Sequence, residues 1–324
     1  TEQFLETTRL GKGVEARRLQ KEPMERTVQA VERFCALARG RGIERIHAFA
    51  TSAVRDAENR GELLALLRER CGLSVDVLSG EEEADLAYLG AADGARALVL
   101  DIGGGSTELV FGEGAVRQAV SLQAGAVRLR ERFGQDRDGA QAFLDERFAA
   151  QRAAFAGAQG APLLGIGGTI TTLAAMEQRL DVYCEEKIDG FVLRAQDVRA
   201  WVDRLWDLPA PARAFPGLEP SRADIIAHGA LILDRALADF DQMRSREGER
   251  LKADISARAA AIEEKVALVE ERSPQTVAEY RTKLEARMTE VLSNTQLDPA
   301  RILTEAAIFA DKVAVDEETV RLRS

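Results

Sequence analysis

The segment Leu98-Val99-Leu100-Asp101-Ile102-Gly103-Gly104-Gly105-Ser106-Thr107-Glu108-Leu109-Val110 limits the folds open to this chain more than any other. Three consecutive glycines punctuate the chain as a turn, and the apolar runs Ala97–Leu100 and Glu108–Phe111 on either side read as strands. An acid ending one strand and an acid opening the next bring Asp101 and Glu108 near each other across a hairpin. Hard oxygen ligands so placed suit Mg²⁺, and the unobstructed N–H groups of the turn can approach phosphate oxygens. Taken alone, a glycine-rich hairpin is equally compatible with a purely structural turn.

A second segment repeats the logic: Pro162–Ile166 is a short strand running into Gly167-Gly168-Thr169 and then a helix. Two glycine turns at strand ends are what a phosphate cleft between two lobes would use. Upstream, residues 24–42 carry Val28, Val31, Phe34, Cys35 and Ala38 at helical spacing, closed by Gly40 and Gly42. Arg45–Ala50 then reads as a strand, Leu63 to Leu67 as part of a helix, and Ser74–Leu78 as a strand. This β-α-β rhythm favours an α/β layered fold. Ser79 with Glu82 three residues on is a capping-box pattern opening the next helix.

The 324 residues are 46% hydrophobic and 30% charged, enough for two or three domains. The longest apolar stretches, such as Ala97–Leu100 and Ala158–Ile166, fall far short of the roughly 20 residues that span a bilayer. No basic-then-apolar signal pattern opens the sequence, so no membrane association and a cytoplasmic location are expected. A formal charge of −10 argues against DNA or generic nucleic-acid binding, although a local groove can still hold a polyanion. Cys35, Cys71 and Cys184, widely spaced with only His47 and His228 beside them, read as free thiols rather than a zinc set. His228 falls in the apolar stretch Ala223–Leu237, where a core or interface role is expected rather than a ligand role.

Beyond about residue 238 the strand signals stop. Leu251, Ile255, Ile262, Val266 and Val269 recur at spacings close to 3.5 residues. Ser273-Pro274 supplies an N-cap and an N1 proline for a second helix through Val277, Tyr280, Leu284, Met288 and Val291. The pair reads as an antiparallel helical hairpin. Asp298-Pro299 begins a further helix through Ile302, Leu303, Ala306, Phe309 and Ala310. The expected division is 1–94, 95–238 and 239–324.

Five motifs occur in a telling order. These are Ala50-Thr51-Ser52-Ala53-Val54-Arg55-Asp56-Ala57, Ser79-Gly80-Glu81-Glu82-Glu83-Ala84, Asp101–Glu108, Gly125–Leu129 and Gly165–Thr169. In this order they resemble the exopolyphosphatase and guanosine pentaphosphate phosphohydrolase (Ppx/GppA) family. The resemblance covers residues 1 to about 235 and implies an α/β, actin-like fold of two ribonuclease-H-like lobes with the active site between them. It implies removal of terminal phosphate from inorganic polyphosphate or guanosine pentaphosphate, with Mg²⁺ or Mn²⁺ as cofactor. Glu83 matches the family's catalytic base, and Asp101 and Glu108 its metal ligands. Arg55 and the turns Gly103, Gly104, Gly105, Ser106 and Gly167, Gly168, Thr169 match its phosphate clamp. Phosphoryl transfer asks mainly for positioning and charge neutralisation, with one group to orient the nucleophile, and this set supplies both. Glu81 and Glu82 are read as capping and solvating residues. Leu86 and Ala87, at i+3 and i+4 from Glu83, put Glu83 on a more apolar side of its helix.

The family opens with a strand and a DxGSNS-type turn that supplies its first phosphate loop. No such segment precedes Thr1-Glu2-Gln3-Phe4, and Glu6–Gly11 resembles a strand inside the first lobe. A truncated first lobe and reduced activity are therefore expected. Residues from about 236 to Ser324 resemble the C-terminal region of YicC-family endoribonucleases, without that family's N-terminal domain. This implies RNA contact or homo-oligomerisation through the helical region. Two other readings stay open: the helical region carries the function beside a degenerate phosphatase, or the glycine turns hold ATP in a kinase of the same fold.

Overall fold

The computed structural model describes residues 4, 6–12, 17–291, 299–312 and 316–323. The chain divides into two units, Thr1–Ser245 and Arg246–Ser324. Each has its own organisation.

The first unit opens with α1 (Lys21–Gly40), which buries Met24, Val28 and Cys35. β1 (Ala48–Ala50), the short α2 (Ser52–Arg55), α3 (Arg60–Cys71) and β2 (Val75–Val77) follow. The expected β-α-β rhythm is present: β1 and β2 pair in parallel, and α3 makes the crossover. Leu63, Leu67 and Cys71 recur at i, i+4 and i+8 and pack with Val28 and Val54 into one small core. Glu6–Gly11 forms no strand; a strand needs a neighbour, and β1 and β2 pair only with each other.

α4 (Gly80–Ala92) starts at Ser79, whose hydroxyl accepts from the Glu82 N–H while the Glu82 carboxylate accepts from the Ser79 N–H. The capping box is therefore complete. β3 (Ala97–Ile102), β4 (Thr107–Glu113) and β5 (Ala115–Leu122) form an antiparallel meander. β5 was not foreseen; its burial is intermediate along most of its length, so no apolar run announces it. α5 (Ala126–Phe133) and α6 (Arg137–Ala149) lead to β6 (Leu163–Ile166), which joins β3 in parallel and gives the order β5-β4-β3-β6. α7 (Gly168–Glu177), α8 (Glu185–Ile188) and α9 (Ala195–Trp206) complete the layer with the start of α10 (Ile226–Val291).

The sheet is covered on both faces. Leu98, Leu100, Ile102, Leu109 and Phe111 point into the large core beneath α5–α7 and α10, which also holds Leu129, Leu144, Leu173 and Leu231. Ala97, Val99 and Val110 point the other way, against Ala84, Tyr88 and Ala92 of α4. The alternation follows from the two-residue period of a strand. Cys35 and Cys71 are buried free thiols, while Cys184 is free and half-buried. His228 is buried as a core residue; its Nε2 lies 2.9 Å from the Gly134 carbonyl and its Nδ1 has no partner.

In the second unit α10 continues to Val291, followed by α11 (Pro299–Lys312) and α12 (Asp316–Arg323). The antiparallel hairpin expected from two helices meeting at Ser273-Pro274 is not formed, since both segments belong to one continuous helix. α10 runs through Pro274, because the strong helix formers on both sides carry the helix past one missing N–H. The return is made by α11, whose Phe309 stacks on Tyr280 at 3.6 Å. The expected cap Asp298 and the final Ser324 lie outside the described residues.

Candidate active site

Asp101 and Glu108 are direct partners across the β3–β4 ladder. Parity places both on the sheet face shared by Val99 and Val110, which α4 covers. α4 carries Glu83 in its first turn, so three carboxylates from three elements approach one another. The charges of Glu83 and Asp101 both act on Glu108, and that of Glu83 acts on Asp101.

Burial and this mutual repulsion raise the two strand acids. Asp101 is pushed up to about 6, by desolvation first and by Glu83 second. Glu108 is pushed up to about 7, chiefly by desolvation, against the opposing effect of hydrogen bonds from Ser106 and Ser121. The Ser121 hydroxyl donates to Glu108 Oε1 at 2.8 Å. Glu83 differs in having a cation beside it. Arg55 Nη1 donates to Glu83 Oε2 at 2.6 Å and to the Leu78 carbonyl at 2.9 Å. Both side chains are mostly buried, at 20% and 17% exposure, whereas Glu81 and Glu82 are exposed. The inward side of α4 runs through Glu83, Ala84, Ala87 and Tyr88. Leu86, expected on that side, is 50% exposed.

The first glycine turn is held from behind by α5. The N–H groups of Ala126, Val127 and Arg128 donate to the carbonyls of Gly103 and Gly104, and Arg128 Nε donates to the Gly105 carbonyl at 2.7 Å. A Cβ on Gly125 would overlap the backbone of Gly104 and Gly105, so the Gly125–Leu129 motif props the turn. With those carbonyls engaged, the turn is fixed at the end of β3. The hydroxyls of Ser106 and Ser52 are hydrogen-bonded at 3.0 Å in a buried contact, tying the turn to the helix that carries Arg55.

The second turn lies alongside. Asp101 is in register with Ile166, the last residue of β6. Gly167 follows at φ +87°, and its Cα packs directly on the Asp101 carboxylate, where any Cβ would collide. Gly167 caps α7 without a side-chain acceptor, so the first N–H groups of α7, from Gly168 and Thr169, face outward unused by the helix. The Arg222 guanidinium lies against the Cα of Gly168. Its nearest carboxylate, Glu219, is 3.8 Å away. A cation at a helix N-terminus adds to the positive end of the dipole, and together they favour an anion.

All the residues expected at the site thus gather at the ends of β3 and β6 and the start of α4. Ser52, Ser121 and Arg222 were not foreseen. Ser52 lies inside the Ala50–Ala57 motif, but its partner is set by tertiary contact. Arg222 sits some fifty residues from the turn it covers, and nothing in its local sequence marks it.

Among the described residues no three His, Cys, Asp or Glu side chains converge as a metal cage. The donor set is the Asp101–Glu108 pair. Mg²⁺ is characteristically held by one or two carboxylates with substrate phosphates and water completing the shell, so the half-buried Asp101 beside the buried Glu108 fits it.

A doubly covered mixed sheet with two glycine turns at adjacent strand ends and carboxylates beside them is the arrangement of a phosphate-handling protein of the actin-like fold class. Residues 4–248 match the model of the Ppx/GppA phosphatase family, and residues 269–324 match that of the endoribonuclease YicC-like C-terminal domain. Exopolyphosphatase 2 of Mycobacterium tuberculosis is 32% identical over 268 residues, spanning 75% of this chain and 84% of that protein. A solved exopolyphosphatase-like protein superposes with a TM-score of 0.70 at 32% identity, over 76% of this chain and 84% of that one. The Aquifex aeolicus Ppx/GppA family member superposes with a TM-score of 0.58 at 33% identity, over 72% and 80%. The chain belongs to the Ppx/GppA phosphatase family. Among its described residues no helix is long and apolar enough to cross a membrane.

Proposed function

We propose that this protein hydrolyses the terminal phosphoanhydride bond of inorganic polyphosphate or guanosine pentaphosphate, assisted by Mg²⁺ or Mn²⁺ at Asp101 and Glu108. The carrying observation is that Glu83 lies within electrostatic reach of that cross-strand pair, beside the two glycine turns. A bound divalent ion would supply charge neutralisation for the equatorial phosphate oxygens.

The chain's own residues do the rest. The glycine turns present backbone N–H groups to the phosphate oxygens, from Gly104–Ser106 in the first, where the Gly103 N–H is already donated to the Ser106 carbonyl at 3.0 Å, and from Gly167–Thr169 in the second. Arg55 and Arg222 are placed to bring guanidinium N–H donors to the same oxygens, a fork that suits phosphate. Glu83 takes a proton from the attacking water as the new P–O bond forms and the bridging P–O bond breaks. Orthophosphate leaves, and the shortened chain keeps the other oxygen. Water as acceptor separates this reading from a kinase, which needs a second substrate.

The test is orthophosphate release from polyphosphate and from guanosine pentaphosphate with Mg²⁺ and no added acceptor, for the chain and its Glu83→Ala variant. Metal-dependent release abolished in the variant is expected, and the faster substrate is then the physiological class. Release equal in both would remove Glu83 from the mechanism. No release from either substrate would overturn the reading.

The match at residues 269–324 favours a second reading, RNA contact by the helical unit. Retention of a labelled RNA oligomer by the full chain, weakening as salt rises, would support it. No retention at low salt would remove it.

A further inference from the structure

A single row of backbone partners crosses the sheet beneath α4. Ile166 of β6 is in register with Asp101 of β3, Asp101 with Glu108 of β4, and Glu108 with Ser121 of β5. Residues opposite one another across a ladder turn their side chains to the same face. Ser121 therefore joins the two acids on the face that α4 covers, as does Ala119 two residues before it. The register brings the Ser121 hydroxyl to Glu108 Oε1, to which it donates at 2.8 Å. A slip of β5 by one residue would turn it to the opposite face.

Glu108 has a second hold. The Ser106 hydroxyl, from the first glycine turn, hydrogen-bonds the same carboxylate. A hydroxyl has one proton to give, so a Ser106 that donates to Glu108 accepts from Ser52, 3.0 Å away. Ser52, Ser106 and Glu108 are all buried. Serines from three parts of the chain, two directly and one through its neighbour, fix the orientation of one buried carboxylate.

That fixity bears on which cation the Asp101–Glu108 pair accepts. Ca²⁺ takes about six to eight oxygens, often both oxygens of one carboxylate, in flexible geometry. Mg²⁺ is smaller, requires near-octahedral geometry, keeps several waters and is satisfied by one or two carboxylates. A carboxylate that can swing adapts to either ion. One tied by two hydroxyls must break a hydrogen bond to do so, and here the bond is in a site closed to much of the solvent.

We infer that Ser121 is a positioning residue that makes the Asp101–Glu108 pair selective for Mg²⁺ over Ca²⁺, by holding Glu108 in one orientation. Ser106 shares the task from the turn. Selectivity of this kind presupposes the divalent ion proposed for that pair.

Melting temperatures of the full chain titrated with Mg²⁺ or Ca²⁺ at pH 8, without substrate, test the role, beside Ser121→Ala and Ser121→Thr. Glu108→Gln reports any response from ions bound elsewhere. The parent chain should be stabilised by Mg²⁺ at lower concentrations than by Ca²⁺. Removing a hydrogen-bond partner of a metal ligand weakens metal binding about ten-fold or more. Ser121→Ala should therefore need about ten-fold more Mg²⁺ while its response to Ca²⁺ changes less, so the preference narrows. Ser121 is half-buried on the edge strand β5, where alanine fits, and the metal-free melting temperature shows whether the variant is folded. Ser121→Thr keeps the hydroxyl on a residue that suits a strand, and should restore the preference. A parent chain stabilised by Mg²⁺ whose preference survives Ser121→Ala overturns the role of Ser121 and leaves the metal reading standing. An equal loss for both ions, or Ser121→Thr behaving as Ser121→Ala, does the same. A parent chain that neither ion stabilises overturns the metal reading, and the role of Ser121 with it.

Discussion

Ser106 of the first glycine turn and Ser52 at the start of α2 share a buried hydroxyl–hydroxyl hydrogen bond of 3.0 Å. This bond spans the two halves of the first unit. α2 also carries Arg55, and Arg55 holds Glu83, so the bond links the Glu83 carboxylate to the first glycine turn. Ser52→Ala should cost about 1–2 kcal/mol, because it leaves the Ser106 hydroxyl buried with one partner fewer. Thermal unfolding measures that loss. Phosphate release should fall by more than the stability change explains. Full activity at a temperature well below unfolding would show that the bond is structural only.

Gly167 and Asp101 are in contact because position 167 has no side chain. Gly167→Ala would place a methyl group on the Asp101 carboxylate and force an alanine to φ +87°. The backbone strain alone costs about 1–3 kcal/mol. Gly160, at φ +70° with open space around it, separates the two effects. Gly160→Ala should lower stability with activity kept, whereas Gly167→Ala should lower both. Equal activity in the two variants would show that the Asp101 position is not critical.

The elevated acids give a pH dependence with a definite sign. The Glu108 carboxyl titrates near 7 in the folded chain against an ordinary value of 4.5. Folding therefore favours its protonated form. That contribution is complete below about pH 4 and is lost as pH rises through 7. Asp101, at about 6, acts in the same direction at slightly lower pH. His228, pushed down to about 4 by burial, acts oppositely, losing stability as pH falls below its ordinary 6.5. Comparing the chain with Glu108→Gln removes the His228 contribution. Without metal, the variant should be more stable at pH 8 by about 2 kcal/mol, with the gap closing below about pH 4. Mg²⁺ should raise the melting temperature of the parent chain at pH 8 and have little effect on the variant. A variant less stable than its parent at pH 8 without metal would contradict the desolvation account.

Local chemistry made much of this legible from sequence. The capping box at Ser79–Glu82 and the Asp101–Glu108 juxtaposition depend only on residues within a few positions of one another, and two-residue periodicity then decides which face they share. Ser52–Ser106 and Arg222 over Gly168 depend on how distant segments pack, and no local pattern encodes that. The turn expected at Ser273-Pro274 shows the opposite error. A proline that starts helices elsewhere was read as a boundary, yet the helix-favouring residues around it outweigh one lost bond. β5 went unseen because its strand is only half-buried and mixes Arg117 and Gln118 with its apolar residues.

Arg222 offers the last test. Its guanidinium rests on Gly168 at the amino end of α7, where the helix dipole is already positive, and among the described residues its nearest carboxylate, Glu219, is 3.8 Å away. Such a placement is unfavourable until an anion arrives. Arg222→Met keeps the packing stem and removes the charge. Without substrate the variant should melt no lower than the parent chain. With polyphosphate its KM should rise about ten-fold, equivalent to about 1.4 kcal/mol, while kcat changes little. Pyrophosphate should also raise the melting temperature of the parent chain more than that of the variant. A fall in kcat at constant KM would instead place Arg222 on the transition state. A lower melting temperature in the absence of any anion would make it a packing residue, with Glu219 as its partner.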